Sequence, residues 1–370
     1  MTSIKQDLLI KLKKEPLKKP EVPNAEEEEI LQSIRSDTVK FNINNVTRTQ
    51  AYYDFYYLHP EIKWSLLAHM VSRNGGWNMT DLKGEFLSKL LSEGEQKAFF
   101  AFLERGNWLI FQDAFPQLLL YKKSVEMNRS LFYLLPHLNV SSFMEVIWKH
   151  FWENGHRDLL AFAQIINEQM YIEERVIHHQ SYQNSVLKTI NFKLQDVLNL
   201  NHLLFPYSLK EQSEPEIIGE TLHHFASIEE RIEFGKRLYA LLFFDYTRLQ
   251  HIITWVNDHP HTGSRKDYMP HLFNDVKETL PGQLYFPRTK NCILRKNAPR
   301  LYSPALLSAW KTSHQKIAEK GDWFKNISVM NYFKDPSQQD KGKITVDYCE
   351  SIEKMELALF TSKLLFHRKE

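Results

Sequence analysis

The sequence predicts an all-α protein, an irregular multi-helix globular bundle of about a dozen helices with one loop-rich stretch near 258–302. Three observations lead there. Only 12 of the 370 residues are glycine, few for a turn-rich β design. Apolar residues recur near the 3.6-residue spacing of a helix, and no strand-like alternation runs beyond a few residues. Helix start signals recur along the chain. With 43% hydrophobic and 13% aromatic residues there is material for a large core. Residues 25–370 are therefore read as one helical domain, with a soft boundary in KEQSEPE near 210–216.

Residues 1–24 are set apart as a basic, disordered tail. Ile4, Leu8 and Leu12 fall at helical spacing among lysines, and Pro16, Pro20 and Pro23 then break any helix. That short stripe is the one feature suggesting contact with a membrane or a protein. Asn24 is placed to cap the first long helix, whose first turn carries Glu26 to Glu29 at the positive end of the dipole. A second helix is expected from about Arg48 to Leu58. A third opens near Pro60, passes through Ile62, Leu66, Leu67 and Met70, and is expected to end at Gly75-Gly76. Ser92 with Glu95, Ser142 with Glu145 and Ser227 with Glu230 have capping-box spacing. Gly106, Gly155 and Gly321 are read as helix stops. Leu284-Tyr285-Phe286 and Ile293-Leu294 are the only strand candidates.

Composition narrows the function classes. A formal net charge of +2 gives no overall field toward nucleic acid. A local basic patch (Arg288, Lys290, Arg295, Lys296, Arg300) fits no known nucleic-acid motif. No leader and no apolar run of membrane-spanning length is read, so the expectation is a cytoplasmic protein. Cys292 and Cys349 are too few for a disulfide scaffold or a four-thiolate zinc site, and read as reduced thiols. Glu174 and His178 share a helical face, but no HExxH and no paired Glu-x-x-His occurs, so no metal is expected. There is no G-x-S-x-G elbow and no cofactor loop, so no cofactor is expected either.

Three polar motifs remain. HMVSRNGGWNMTDLKG (69–84) places His69 and Arg73 one turn apart and adds Asn74, Trp77, Asn78 and Asp81 as pocket candidates. ERGNWLIFQDAFPQLLLY (104–121) sets Glu104, Arg105, Asn107, Asp113 and Gln117 into an apolar helix containing Pro116. A buried carboxylate must be paired or shift its pKa, so Glu104 or Asp113 is expected to face an arginine, with Arg73 as partner. HPHTGSRKDY (259–268) crowds His261, Thr262, Ser264, Arg265, Asp267 and Tyr268 into one loop, where an arginine fork can take phosphate or carboxylate.

Together with NEQMYIEERV and RIEFGKRLYALLF, these runs resemble the YppC-like proteins over about residues 40–310. That is an uncharacterised, domain-of-unknown-function family of endospore-forming bacteria. The resemblance implies a bacterial intracellular protein, and it carries over no activity and no catalytic residue. The three motifs are expected to meet in one pocket or one buried network. Two function classes follow. The first is a non-catalytic binding or scaffold protein. The second is a hydrolase or transferase on an anionic substrate, with Arg73 and Arg265 orienting it and Glu104, Asp113 or His261 moving protons. The lack of a nucleophile, metal set or cofactor loop favours the first.

Overall fold

In the computed structural model, residues 2–14, 22–189, 201–207, 216–280, 283, 285–336 and 344–367 are described. The protein is mostly helical, with a few short strands. The helices are α1 (Thr2–Lys14), α2 (Ala25–Phe41), α3 (Asn45–Leu58), α4 (Lys63–Asp81), α5 (Leu87–Leu90), α6 (Glu93–Glu126), α7 (Ser142–Asn154), α8 (Arg157–Ile172), α9 (Ile228–Phe243), α10 (Tyr246–Asp258) and α11 (Thr345–His367), with shorter helical turns between them. No described helix is long and apolar enough to cross a membrane.

Local signals set several of these boundaries. Asn24 caps α2 and forms a reciprocal box with Glu27, and Ser92 does the same for α6 with Glu95. Ser227 caps α9 through the Glu230 N–H. Gly155 closes α7 in the left-handed conformation, with φ 69°. The cap of α7 is Ser141 rather than Ser142, because its hydroxyl takes the Met144 N–H.

Other boundaries depend on packing. The helix α4 does not stop at Gly75-Gly76; it runs on to Asp81. Glycine disfavours a helix interior by about 1 kcal/mol relative to alanine, so something must offset it. At Gly76 a Cβ would sit 2.7 Å from His261 Nε2 and closer still to Asn45 Oδ1. The glycine thus gives close approach rather than a turn, and α3 lies tightly along α4. Gly106 does not stop a helix either. The 34-residue α6 passes through both Gly106 and Pro116, about 50 Å at 1.5 Å per residue.

The N-terminal segment is not a free tail over its described part. Thr2–Lys14 is helical, and Ile4 and Leu8 are fully buried in the main core, with Leu12 packed against it. The stripe read as a membrane or protein contact is used inside the molecule. The KEQSEPE boundary lies outside the described residues except for Glu216, as does Leu284.

Strands correct the all-α expectation. The strand β1 (His202–Tyr207) pairs antiparallel with β2 (Glu216–Thr221), His202 opposite Thr221. The stretch between α10 and α11 holds β3 (Phe273–Asn274), β4 (Thr289–Lys290), β5 (Ile293–Leu294) and β6 (Leu301–Tyr302), with β3 parallel to β6 and β4 antiparallel to β5. Ile293-Leu294 is a strand, as the sequence suggests, and Tyr285-Phe286 is not.

Cys292 and Cys349 are not free thiols. They form a disulfide that ties the β4–β5 hairpin to α11, their Cα atoms 5.1 Å apart. The cysteines therefore give no support for a reducing compartment. Closing a loop of 57 residues stabilises a fold by about 4 kcal/mol through the unfolded chain. Reduction is expected to lower the melting temperature by many degrees, read by thermal denaturation with and without a dithiol or phosphine reductant.

Candidate functional site

Two of the three motifs meet. Asp81, the last residue of α4, receives a fork from Arg265. Arg265 Nε lies 2.9 Å from both carboxylate oxygens, and Nη2 lies 2.6 Å from Oδ2. The guanidinium lies 3.6 Å over the Trp77 ring, which stacks in turn on Tyr268. Arg265 Nη1 also donates to the Tyr348 hydroxyl at 2.5 Å. Ser264 caps the short turn at Arg265–Asp267 and donates to the Ser303 carbonyl. Asp267 accepts from the Thr262 N–H and hydroxyl, both at 2.7 Å. Thr80 donates to the Gly263 carbonyl at 2.7 Å. Asn74 binds the Leu204 backbone from both sides, fixing β1 to α4. Arg265 is thus fully engaged by protein groups.

Arg73 is buried to 1% exposure, but neither expected carboxylate reaches it. Its guanidinium lies 4.6 Å over Trp255 and 5.8 Å from the Tyr268 ring centre. Glu104 pairs instead with Arg48, 2.5 Å away, and Arg48 also donates to Asn42. Asp113 lies in a separate amide network. Its Oδ2 accepts from Gln117 at 2.9 Å and from Asn167 at 2.5 Å, and Gln117 in turn accepts from Trp148 and Gln164. Burial, partly offset by those donors, pushes the Asp113 carboxyl up to about 7. Arg105 lies outside both groups, on the Lys316 carbonyl and over Trp108. Asn107 bonds its own helix at Leu103. The motifs 69–81 and 259–268 thus join at Asp81–Arg265, while 104–117 is spread: Glu104 goes to Arg48, Asp113 and Gln117 to the amide network, and Asn107 lies against α4 beside Gly75.

Two imidazoles flank Arg73. His69 Nδ1 donates to the Thr49 carbonyl at 2.8 Å, so its Nε2 carries a lone pair. Asn45 donates its amide N–H to the Ser72 carbonyl, so its oxygen accepts from His261 Nε2 at 2.8 Å. His261 Nδ1 is then a second lone pair. These two nitrogens, with Arg73 Nε and Nη2, have no hydrogen-bond partner among the described residues. An anion brought to Arg73 would meet both lone pairs.

Beside this junction lies a cavity of about 180 Å³, walled by Trp77, Asn78 and Asp81 of α4, by β1, by Phe99, Phe102 and Leu103 of α6, and by Tyr348, Ser351, Ile352 and Met355 of α11. A second cavity, of about 240 Å³, reaches Arg48, Trp64, Asn107, Glu168 and Phe234. Phe102, Leu103, Leu203, Leu222 and Phe225 line both, so the two are neighbouring lobes with a shared apolar wall.

A serine and a histidine meet at the first lobe. His202 Nε2 lies 2.8 Å from Ser351 Oγ, and its Nδ1 lies 2.6 Å from Thr221 Oγ1. The Ser351 hydroxyl donates to the Asp347 carbonyl at 2.8 Å. With that proton committed, His202 Nε2 is the donor to Ser351, and its only lone pair faces Thr221. The imidazole cannot take the serine proton in this arrangement, so the pair is not an activated nucleophile. The sequence reading missed His202, Ser351, Arg48 and Glu168 as site residues; Glu168 lies within the NEQMYIEERV run, where nothing local marks it as a site residue.

Stability should peak near pH 6.5. His69 and His202 stay neutral when folded, depressed by burial and a nearby arginine to about 3 and about 4 from 6.5. His261 is depressed well below 6.5 in the same way. Below pH 6.5 the unfolded chain binds their protons and the folded chain does not, so acid destabilises. Asp113 and Glu168 run the opposite way: burial raises them to about 7 and about 8, from 3.8 and 4.5. They hold protons only when folded, so stability is lost as pH rises through 8. Burial raises Asp267 as well; below 6.5 the three imidazoles, whose unfolded forms take up protons there, oppose the raised carboxyls and acid prevails, while above it the carboxyls act. Urea midpoints across pH 4–9 check this, and Glu168→Gln should flatten the alkaline fall.

Residues 40–354 match the family described as "Protein of unknown function (DUF2515)". The chain belongs to that family. It is similar to the "Uncharacterized protein YppC" of Bacillus subtilis (strain 168), 43% identical over 307 residues, which is 82% of this chain and 86% of that protein. No solved structure matches it. The DUF2515 match runs from the end of α2 into the first part of α11, and so includes the Asp81–Arg265 junction and all of the lobe lining except Met355.

Proposed function

We propose that this DUF2515 protein is a non-catalytic binding protein for an elongated, largely apolar small molecule lying along the two lobes. The observation carrying this reading is the pair of neighbouring cavities sharing five apolar side chains. Ligand pockets are typically apolar enclosures with a few placed polar groups. The arginines of the lining support binding over turnover of an anion. Arg265, Arg48 and Arg231 each hold a carboxylate of the protein, Asp81, Glu104 and Glu173. The joined polar motifs act as the frame that fixes α4, β1 and α11 around the first lobe.

A thermal-shift titration with octanol and with 1-aminoanthracene tests this. A ligand at 100 times its Kd stabilises the fold by about 2.7 kcal/mol, a rise of several degrees. Leu203→Trp, which fills the shared wall, should abolish the rise while leaving a folded circular-dichroism spectrum. Absence of any shift in the wild-type protein would contradict the reading.

A further inference from the structure

The lining of the two lobes pairs its charges with one exception. Asp81 and Glu85 face Arg265, Arg288 and Lys89. Glu168, on α8, has as its close partners only the Gln169 amide at 3.2 Å and the Trp64 indole, with no basic side chain within ion-pairing distance among the described residues. Arg48 lines the same lobe, but Glu104 holds it. Glu168 is half-buried and lines the second lobe. Tyr52, Trp64, Phe102, Phe225 and Phe234 stand in the same wall. A carboxyl set among aromatic faces is complementary to an organic cation.

We infer that the Glu168 end of the second lobe binds the ammonium head of an apolar amine, whose hydrocarbon body lies along the lobes. This rests on the binding-protein reading above and specifies its ligand. Burial pushes the Glu168 carboxyl up to about 8, so at neutral pH it enters the encounter protonated. The amine arrives as the ammonium ion, Glu168 releases one proton to solvent, and an ammonium–carboxylate pair forms. Among the described residues, Arg48 and Tyr52 of α3 and Arg231 of α9 line the lobe with Glu168, and the Asp113 carboxyl of α6 acts on it from behind. Arg48 and Arg231 are tied to Glu104 and Glu173, and Tyr52 is pushed well above its ordinary range by burial. Asp113, raised to about 7, is the neighbour that titrates in the same range.

Calorimetric titration of the full chain with octylamine, octanol and octanoate tests the inference, at pH 6 and 7.5 and in two buffers of different ionisation enthalpy. Octylamine should bind at least about tenfold tighter than octanol at pH 7.5, with about one proton released, and should weaken toward pH 6. Glu168→Gln should remove the amine preference and the proton release while octanol binding persists; Asp113→Asn should leave both in place. If octanol binds and octylamine binds no tighter, or releases no proton, the ammonium site is wrong and the cavity reading stands. If neither binds, the cavity reading fails and takes this one with it.

Discussion

Arg48→Met is expected to lower the unfolding free energy by about 3–5 kcal/mol, because it strands Glu104 as a buried charge. The two side chains are 1% and 4% exposed and 2.5 Å apart, so solvent neither screens the pair nor can hydrate the survivor. The double variant Arg48→Met/Glu104→Leu should recover much of that loss, since replacing a whole buried pair by apolar groups is often neutral. Arg73→Met should cost clearly less than Arg48→Met. Arg73 is as deeply buried, but it lies over the Trp255 and Tyr268 rings and bonds Tyr268, with no carboxylate paired to it among the described residues. Urea denaturation of the four proteins measures all of this. A larger loss at Arg73 than at Arg48 would reverse the assignment of the buried ion pair.

Gly76→Ala is the second large effect. Alanine is the better helix former and would gain about 1 kcal/mol in an unobstructed helix. Here its methyl enters the Asn45–His261 hydrogen bond, with His261 Nε2 only 2.7 Å from where the Cβ would stand. Overpacking costs about 1–3 kcal/mol, and unpairing buried polar groups a similar amount, so a net loss of about 2–4 kcal/mol is expected. Gly106→Ala is the control. It lies inside α6 with nothing within 4 Å of the added atom, and should stabilise by about 1 kcal/mol. Opposite signs at two helical glycines, read from melting temperatures, would separate close approach from helix propensity.

These two glycines also mark what the sequence could express. Signals closed within one turn were legible. Asn24 with Glu27 and Ser92 with Glu95 cap the predicted helices, and Gly155 ends one, since each acts on backbone groups within a few residues. Gly76 and Gly106 look alike locally, and only the residues packed against Gly76, 31 positions before it and 185 after, decide its role. Similarly, the sequence showed that Glu104 needs a cation but not that Arg48 supplies it. Arg73 lay in the more conspicuous motif, while Arg48 lies in an ordinary helix start. The β1–β2 hairpin escaped because HLLFPY and EIIGET lack clean alternation; Leu204, Phe205, Ile217 and Ile218 are all buried. Of the candidate site, the meeting of 69–81 with 259–268 was anticipated. The two lobes were not, because Phe102, Leu203 and Phe225 read as core residues in any helical protein. Glu168 reads equally well as the polar face of an amphipathic helix.

The central claim is that the space between α4, α6, α8, β1 and α11 is a ligand cavity rather than a packing defect. Crystals of the protein soaked with octylamine test it most directly. The account predicts electron density for the chain along Phe102, Leu203 and Phe225 with its nitrogen at Glu168, lost in Leu203→Trp. Side chains collapsed into both lobes, with no density for the amine at saturating concentration, would contradict it.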